Sequence, residues 1–199
     1  MRSRRVPGGI HVSRFLRRPA VPIVVLVFGF LLASLVSSPP SEAQEKAPTA
    51  PDFSAKNLKG KTIKLSDLLE EGPVLIDFWT TWCKPCKLEL PELDRLHRKY
   101  EEHGFRVLAI SQDDPKTVRK VKPYVEQRKY GMVVLVDPDR EVGNEYSVRT
   151  YPTSFLVGED GEILHFAQGY SKGDEKELEE KIRGLLELGP QTEAEEDER

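Results

Sequence analysis

The chain has 199 residues and a formal net charge of −3 at pH 7. Charged residues make up 32% of it and aromatic residues 8%, a composition typical of a soluble globular protein with one domain. Positive charge is concentrated at the N-terminus, where residues 1–43 hold six arginines and one acid, Glu42. The acidic remainder argues against a nucleic-acid partner, because phosphate binding needs clustered lysine and arginine.

The N-terminus carries a targeting or anchoring signal. Residues 1–19 are arginine-rich and predicted to stay in the cytoplasm, and residues 20–36 form an uncharged apolar run. That run is at the lower limit for spanning a bilayer and is longer than the usual core of a signal peptide. The sequence therefore predicts an extracytoplasmic, periplasmic domain tethered to the inner membrane by residues 20–36. The alternative is a signal cleaved after Ala43, which would release a soluble periplasmic protein.

A linker and one folded domain follow this run. Residues 37–50 are rich in proline, serine, alanine and glutamate and are typical of a linker, whereas residues 51–189 are predicted to fold. The domain begins with a hairpin around residues 57–61 and a short capped helix at residues 66–69. Residues 190–199 form an acidic tail predicted to be disordered.

Strands and helices then alternate along the chain. Three apolar runs are predicted as buried strands: residues 74–79, 105–111 and 132–136. Helices are predicted between them, at residues 83–103 before Gly104 and from Asp114-Pro115 to about residue 129. The last elements are a short helix at 141–146, a hairpin at 153–157 and 162–168, and a helix at 172–188. This order predicts an α/β sandwich with parallel central strands and an antiparallel edge hairpin.

The two cysteines of the chain lie in Trp82-Cys83-Lys84-Pro85-Cys86, at the junction of the 74–79 strand and the following helix. Free N–H groups and the dipole of a helix start favour a thiolate at Cys83, and Lys84 adds a nearby cation. Cys83 is therefore predicted to attack a partner's disulfide and Cys86 to resolve the mixed disulfide. A permanent disulfide is a weaker interpretation, because so short a loop removes little unfolded-state entropy. A metal site is weaker still, because two thiolates need further ligands.

Several residues near the motif are candidates for supporting roles. Asp77 interrupts an apolar strand, so its pKa should rise, and it is predicted to accept the proton of Cys86. The alternatives for Asp77 are a surface-facing or a hydrogen-bonded structural acid. Asp113 and Asp114 either tune the site or cap a helix. Pro85 shapes the loop by fixing its backbone, and Trp82 either packs or contacts a partner.

The chain resembles the thioredoxin superfamily, and within it the TlpA/ResA group, over residues 51–188. The resemblance rests on residues 77–86, on Pro91 where the family kinks its active-site helix, and on Tyr151-Pro152-Thr153, which is similar to the family's cis-proline loop. It implies a thioredoxin-like three-layer α/β/α sandwich with an N-terminal hairpin and an inserted helix and strand. Asp77 departs from the TlpA/ResA group, whose members are not regularly acidic there.

The resemblance also implies an activity, that of an exported thiol–disulfide oxidoreductase with no cofactor or metal beyond a redox-active Cys83–Cys86 disulfide. Substrate contact is assigned to five residues: Trp82, Lys84, Pro85, Tyr151 and Pro152. A cis Tyr151–Pro152 bond would leave backbone groups of Tyr151 free to pair with an extended substrate.

The motif around Pro85 resembles those of reducing members of the group. The implied partners are disulfide-containing proteins, such as apocytochrome c during cytochrome c maturation, and a membrane thiol that donates electrons. Two alternatives stay open: an oxidase or isomerase that introduces disulfides, and a non-catalytic binding module such as a metallochaperone.

Overall fold

The computed structural model of the protein describes residues 47–189. The predicted N-terminal segments, most of the linker and the acidic tail lie outside the described residues. Within these residues the chain forms seven strands and five α-helices: β1 Ser54–Asn57, β2 Thr62–Lys64, α1 Leu65–Leu69, β3 Val74–Trp79, α2 Lys84–Tyr100, β4 Arg106–Ser111, α3 Val121–Arg128, β5 Val133–Val136, α4 Glu141–Glu145, β6 Thr153–Val157, β7 Ile163–Gln168 and α5 Asp174–Leu185. Of the helices between residues 47 and 189, none combines the length and the apolar character that crossing a membrane requires.

The seven strands form one mixed sheet in the order β2-β1-β5-β4-β3-β6-β7. The central strands β3, β4 and β5 are parallel, and the remaining neighbours pair antiparallel. The predicted sheet, with parallel centre and antiparallel edge hairpin, is therefore confirmed. The N-terminal hairpin of β1 and β2 forms the opposite edge of the sheet. Strand β5 lies between this hairpin and β4.

Strand β3 lies between two apolar layers. All six of its residues are buried, and successive side chains point to opposite faces of the sheet. Leu75 and Trp79 pack with the apolar face of α2 and with α5, whereas Ile76 and Phe78 pack on the other face. Asp77 is two residues away from both Leu75 and Trp79. Its side chain therefore points to the same face of the sheet as theirs, the face covered by α2.

Helix α2 begins where the cysteine motif begins. Cys83 is its N-cap, and Pro85 lies in the first turn, where the missing N–H of proline costs no helical hydrogen bond. A short 3-10 turn at Glu101–His103 follows the helix, and Gly104 ends it with a φ of 90°, as the sequence predicts. A Cβ on Gly72 would lie 2.6 Å from the carbonyl oxygen of Gly104. The loop before β3 and the turn after α2 approach each other so closely that both positions need glycine.

A buried ion cluster joins α2 to α5. The carboxylate of Glu179 is fully buried and accepts hydrogen bonds from Arg95 (2.9 Å), Lys99 (3.0 Å) and the hydroxyl of Tyr100 (2.7 Å). Burial alone would raise the pKa of Glu179, but these three donors outweigh it and lower the pKa to about 2. The cluster fixes the second half of α2 against α5.

One predicted helix start is wrong. The helix expected from Asp114 begins only at Val121, after a 3-10 turn at Val118–Lys120. The reason is local, because the Asp114 carboxylate accepts the N–H groups of Lys116 and Thr117 and closes a separate turn.

The short helix α1 is present, but its first turn is not capped by a neighbouring side chain. The N–H of Ser66 donates to the distant Asp52 carboxylate, 3.0 Å away.

Candidate active site

Cys83 and Cys86 form a disulfide at the start of α2, with an S–S distance of 2.02 Å. Cys86 is completely buried, and Cys83 keeps about 5% of its surface exposed. The N–H of Cys86 donates to Sγ of Cys83 at 3.2 Å, so this sulfur already occupies the place of a capping acceptor. A partner can reach Cys83 but not Cys86, in agreement with the predicted order of attack.

Cys83 opens into a groove of about 740 Å³. Trp82, Lys84, Pro85 and Tyr151 line this groove, as the sequence predicts for substrate contact. The ring of Trp82 is 62% exposed and meets the ring of Tyr151 edge-on, with centroids 5.8 Å apart. The Tyr151–Pro152 bond is cis, which confirms that prediction, and Pro152 itself is buried.

Asp77 lies on the same face of the sheet as α2 and is fully buried. Neither of its carboxylate oxygens has a hydrogen-bond partner within the described residues. Burial raises the pKa of Asp77 to about 8, so the group is protonated at neutral pH. The alternatives of a surface-facing or a hydrogen-bonded structural acid are therefore wrong.

Glu89 is a second buried carboxyl group, and sequence reasoning missed it. It lies in α2 one turn after Cys86, with 5% of its surface exposed and Oε2 unpartnered among residues 47–189. Burial, followed by the charges of Asp77 and Asp174, raises its pKa to about 10. The available signal was an acid within the apolar stripe that α2 turns to the core.

Glu89 also lines a cavity of about 140 Å³ beneath the active-site helix. The walls of this cavity come from α2, from the end of β7 and from the start of α5, and they include His165 and Asp174. The cavity is large enough to hold water.

The two buried carboxyl groups are the candidates for the proton chemistry of Cys86. Cys86 must lose a proton to act as a nucleophile, and it has no contact with bulk water. Asp77 and Glu89 lie on its side of the sheet and interact electrostatically, so they titrate as a coupled pair. With pKa values of about 8 for Asp77 and about 10 for Glu89, both groups are mostly protonated at neutral pH, and Asp77 is the first to lose its proton as pH rises.

Asp113 and Asp114 have different positions, although they are adjacent. Asp113 is buried and accepts hydrogen bonds from the N–H (2.7 Å) and the hydroxyl (2.6 Å) of Thr81, which holds the loop before Cys83. Asp114 is exposed at the groove and closes its own turn. Asp113 caps no helix, whereas Asp114 accepts the N–H groups of Lys116 and Thr117 as an N-cap residue does, at the start of the turn that precedes α3.

Metal ligands do not gather near the disulfide. Between residues 47 and 189, no group of three or more histidine, cysteine, aspartate or glutamate side chains is arranged to hold a metal ion.

Comparison with known proteins gives the family. The profile of the AhpC/TSA family matches residues 47–166, more than half of the chain. The chain belongs to the AhpC/TSA family. Thiol-disulfide oxidoreductase ResA of Bacillus thuringiensis subsp. konkukian is 36% identical over 144 residues, which cover 72% of this chain and 80% of the relative. ResA of Bacillus subtilis is 28% identical over 155 residues, covering 78% and 84%.

A solved structure supports the same relationship. The putative thiol:disulfide interchange protein DsbE from Chlorobium tepidum superposes with a TM-score of 0.65 at 31% identity, over 71% of this chain and 98% of that one. The thioredoxin-like sandwich and the resemblance to the ResA group are thereby confirmed. With the Cys83–Cys86 pair in place, this member of the AhpC/TSA family is a thiol–disulfide oxidoreductase.

Proposed function

We propose that the protein is an exported reductase of protein disulfides. The observation that carries this proposal is the position of the disulfide, with Cys83 at the groove and Cys86 fully buried on the side of the sheet that also holds the buried acids Asp77 and Glu89. In the dithiol form, the Cys83 thiolate attacks one sulfur of a partner disulfide and releases the other as a thiolate. Cys86 then attacks Sγ of Cys83, which frees the second partner sulfur and forms the intramolecular disulfide.

The cycle moves two electrons from the cysteine pair to the partner. The thiol of Cys83 loses one proton before the first attack. We assign the proton that Cys86 loses during the second attack to Asp77 in its ionised form, which is the minor form near neutral pH. The two released partner thiolates take up two protons in turn. The oxidised protein then needs two electrons from a second dithiol, which we propose to be a membrane thiol donor.

The surroundings of Cys86 support the reducing direction. Strong oxidants in this superfamily stabilise their thiolates, which makes the dithiol form favourable. Here a negative sulfur at Cys86 is disfavoured by complete burial. The dithiol form therefore lacks, at this sulfur, the thiolate stabilisation that makes a strong oxidant. The resemblance of the Pro85 motif to reducing members points the same way.

The proposed substrate class is protein disulfides outside the cytoplasm, with the cysteines of apocytochrome c as the first candidate. This assignment comes from the resemblance to the TlpA/ResA group. Export is proposed from the arginine-rich residues 1–19 and the apolar residues 20–36. We favour residues 20–36 as an inner-membrane anchor. Mass measurement of the membrane-extracted protein tests this, because cleavage after Ala43 would give a chain that begins at Gln44.

The reduction potential of the Cys83/Cys86 pair tests the direction. We expect equilibration with dithiol buffers to give a value near or below that of thioredoxin, roughly −270 mV. A value above roughly −150 mV would contradict the reductant and support an oxidase. Insulin reduction with a Cys83→Ser control separates both from a binding module, because only an exchanging protein loses activity in that variant.

Trapping identifies the partners. Cys86→Ser removes the resolving sulfur, so mixed disulfides on Cys83 should accumulate in cells. Cys83→Ser is the matched control, because its remaining cysteine is buried and captures nothing. Recovery of apocytochrome c in the first variant alone would support the proposed substrate. Recovery only of proteins without haem-binding cysteines would redirect the assignment to another substrate.

A further inference from the structure

We propose that the active-site groove selects partner segments that carry a carboxylate beside their cysteine, and that Arg140 and Arg149 bind this carboxylate. The inference rests on the proposed function, since it concerns which disulfides the same groove accepts. It adds two specificity-determining residues that contribute no sulfur and no proton to the exchange.

The groove around Cys83 is positive, although the chain is not. Three cationic side chains line it, namely Lys84, Arg140 and Arg149, whereas the chain as a whole has a formal net charge of −3. The acid that lines the groove, Asp114, is engaged by its own turn, where its Oδ1 accepts hydrogen bonds from Lys116 and Thr117. Local positive charge on an acidic protein indicates a surface that attracts an anion.

The three cations of the groove also lack carboxylate partners. Among residues 47–189, no carboxylate lies within 4.0 Å of the charged nitrogens of Lys84, Arg140 or Arg149. Some arginines elsewhere in the domain are paired with carboxylates, such as Arg98 with Asp94 at 2.8 Å and Arg106 with Glu71 at 3.2 Å. The guanidinium groups at the groove are left available to a carboxylate from a partner.

The two arginines converge on one point. Nη2 of Arg140 donates to the carbonyl oxygen of Val148 at 3.2 Å, and Nη1 of Arg149 donates to the same oxygen at 3.4 Å. Two like charges that share one acceptor repel each other, and a carboxylate placed between them would remove that repulsion. Arginine forks suit a carboxylate because they offer parallel N–H donors.

Arg140 is held in place before any partner arrives. Its guanidinium lies 5.7 Å from the centre of the Tyr151 ring, and its Nε is buried without a hydrogen-bond partner within the described residues. A side chain fixed in this way loses little conformational freedom on binding. Because Tyr151 also contacts Trp82 beside Cys83, the arginine and the reacting sulfur belong to one surface.

The occupant that fits is an extended polypeptide segment with aspartate or glutamate close to its cysteine. Arg149 is two residues from Tyr151, a span of about 7 Å in extended chain. A partner whose cysteine reaches Cys83 would therefore place a residue one to three positions away against the arginines. The exchanging disulfide then forms the covalent link to the protein, and the carboxylate determines which partner segments bind well.

Matched peptides test this inference. The reduced full-length protein is mixed with three cyclic disulfide peptides that are identical except for the residues flanking the cysteines, which are Glu, Ser or Lys. We expect the Glu peptide to react about ten times faster than the Lys peptide at low salt, with Ser between them. This ratio should fall several-fold at high salt, where charges are screened.

Two variants and a control locate the effect. Arg149→Gln changes an exposed side chain and should lower the Glu-to-Lys rate ratio several-fold, and Arg140→Gln should do the same. Arg119→Gln removes an exposed charge outside the groove and should leave the ratio unchanged. The ratio, rather than the rate, is the readout, because a nearby cation also activates Cys83.

The outcomes separate this inference from the proposed function. Equal rates for the three peptides with normal insulin reduction would overturn the charge selection alone. A wild-type ratio retained in both groove variants would overturn the assignment to Arg140 and Arg149. Absence of exchange with every peptide and with insulin would overturn the proposed function and this inference together.

Discussion

Asp77 of β3 and Glu89 of α2 are buried on the same side of the sheet, and the charge of Asp77 raises the pKa of Glu89. The interaction is mutual, because two acids in one apolar layer cannot ionise independently. Cys86 lies one helical turn before Glu89 and belongs to the same buried layer. The resolving sulfur therefore faces a pair of acids rather than one, and the pair sets the proton chemistry of the site.

We expect Asp77→Asn to slow the resolution of mixed disulfides about 10- to 100-fold near neutral pH, because an amide cannot accept the proton of Cys86. Stopped-flow measurement of partner release from Cys83 checks this. Asp67→Asn removes an exposed carboxylate from α1 and serves as the control. Exchange rates that match those of the wild type at every pH would rule out a proton-transfer role for Asp77.

Glu89→Gln should simplify the pH profile of the same step without moving its midpoint. The pKa of Glu89 is about 10, so Glu89 is still neutral when Asp77, with a pKa of about 8, ionises. The variant therefore keeps a midpoint near pH 8 and loses only the second, more alkaline inflection. A midpoint displaced by about one pH unit would show that Glu89 is already charged when Asp77 titrates.

Asp77 should also make stability depend on pH. Unfolded aspartate ionises near pH 4, whereas burial raises the folded pKa of Asp77 to about 8. Between these values the unfolded state binds fewer protons than the native state, so the free energy of unfolding falls as pH rises. The contribution is complete below about pH 4 and is lost above about pH 8.

Urea unfolding of the wild type and Asp77→Asn at several pH values measures this dependence. We expect the stability of the variant relative to the wild type to increase by a few kcal/mol from acid to alkaline pH. A difference that stays constant between pH 5 and pH 9 would show that Asp77 ionises normally in the folded protein.

Glu179→Gln should destabilise the domain by about 3 kcal/mol, because it leaves Arg95 and Lys99 facing an uncharged group in a buried cluster. The pKa of Glu179 is lowered to about 2, so its stabilisation is present above about pH 4.5 and is lost as pH falls towards 2. Glu177→Gln is the control, since its ion pair with Lys181 is exposed and should contribute less than about 1 kcal/mol. Equal losses in thermal unfolding would contradict a special role for the buried cluster.

Trp82→Ala should separate partner contact from packing. Trp82 is exposed, so we expect its removal to change unfolding free energy by less than about 1 kcal/mol. Reduction of protein disulfides should slow several-fold, whereas reduction of a small disulfide such as oxidised glutathione should not. Leu88→Ala, at an equally exposed apolar position of α2, should leave both rates unchanged. A large loss of stability in Trp82→Ala would favour packing.

The fold could be predicted from the sequence because its strongest signals are local. The apolar run of β3 and the glycine after α2 depend on residues near each other in the chain, and both are confirmed. The predicted start of α3 is wrong because the sequence around Asp114 suits both the start of a helix and a separate turn. Competition between a side chain and the backbone decides such cases.

The site was predicted less completely for a different reason. Cys83, Cys86 and the cis Tyr151–Pro152 bond are carried by motifs that can be recognised in one dimension. Glu89 lies within the apolar stripe of α2, but acids are mostly exposed in proteins, and only the packed fold shows that this one is buried. Arg140 and Arg149 reach the groove only through the fold.

The complete burial of Cys86 has a consequence for recharging the protein. When an outside dithiol attacks Sγ of Cys83, the sulfur of Cys86 becomes the leaving group. This sulfur is fully buried, so bulk water is not in contact with it to solvate or protonate the departing thiolate. Protonated Asp77 and Glu89 are the groups that can deliver a proton there. The sulfur of Cys86 can therefore leave as a neutral thiol when the electron donor attacks. Alkaline conditions that deprotonate these acids should slow the reduction of the disulfide before they unfold the domain.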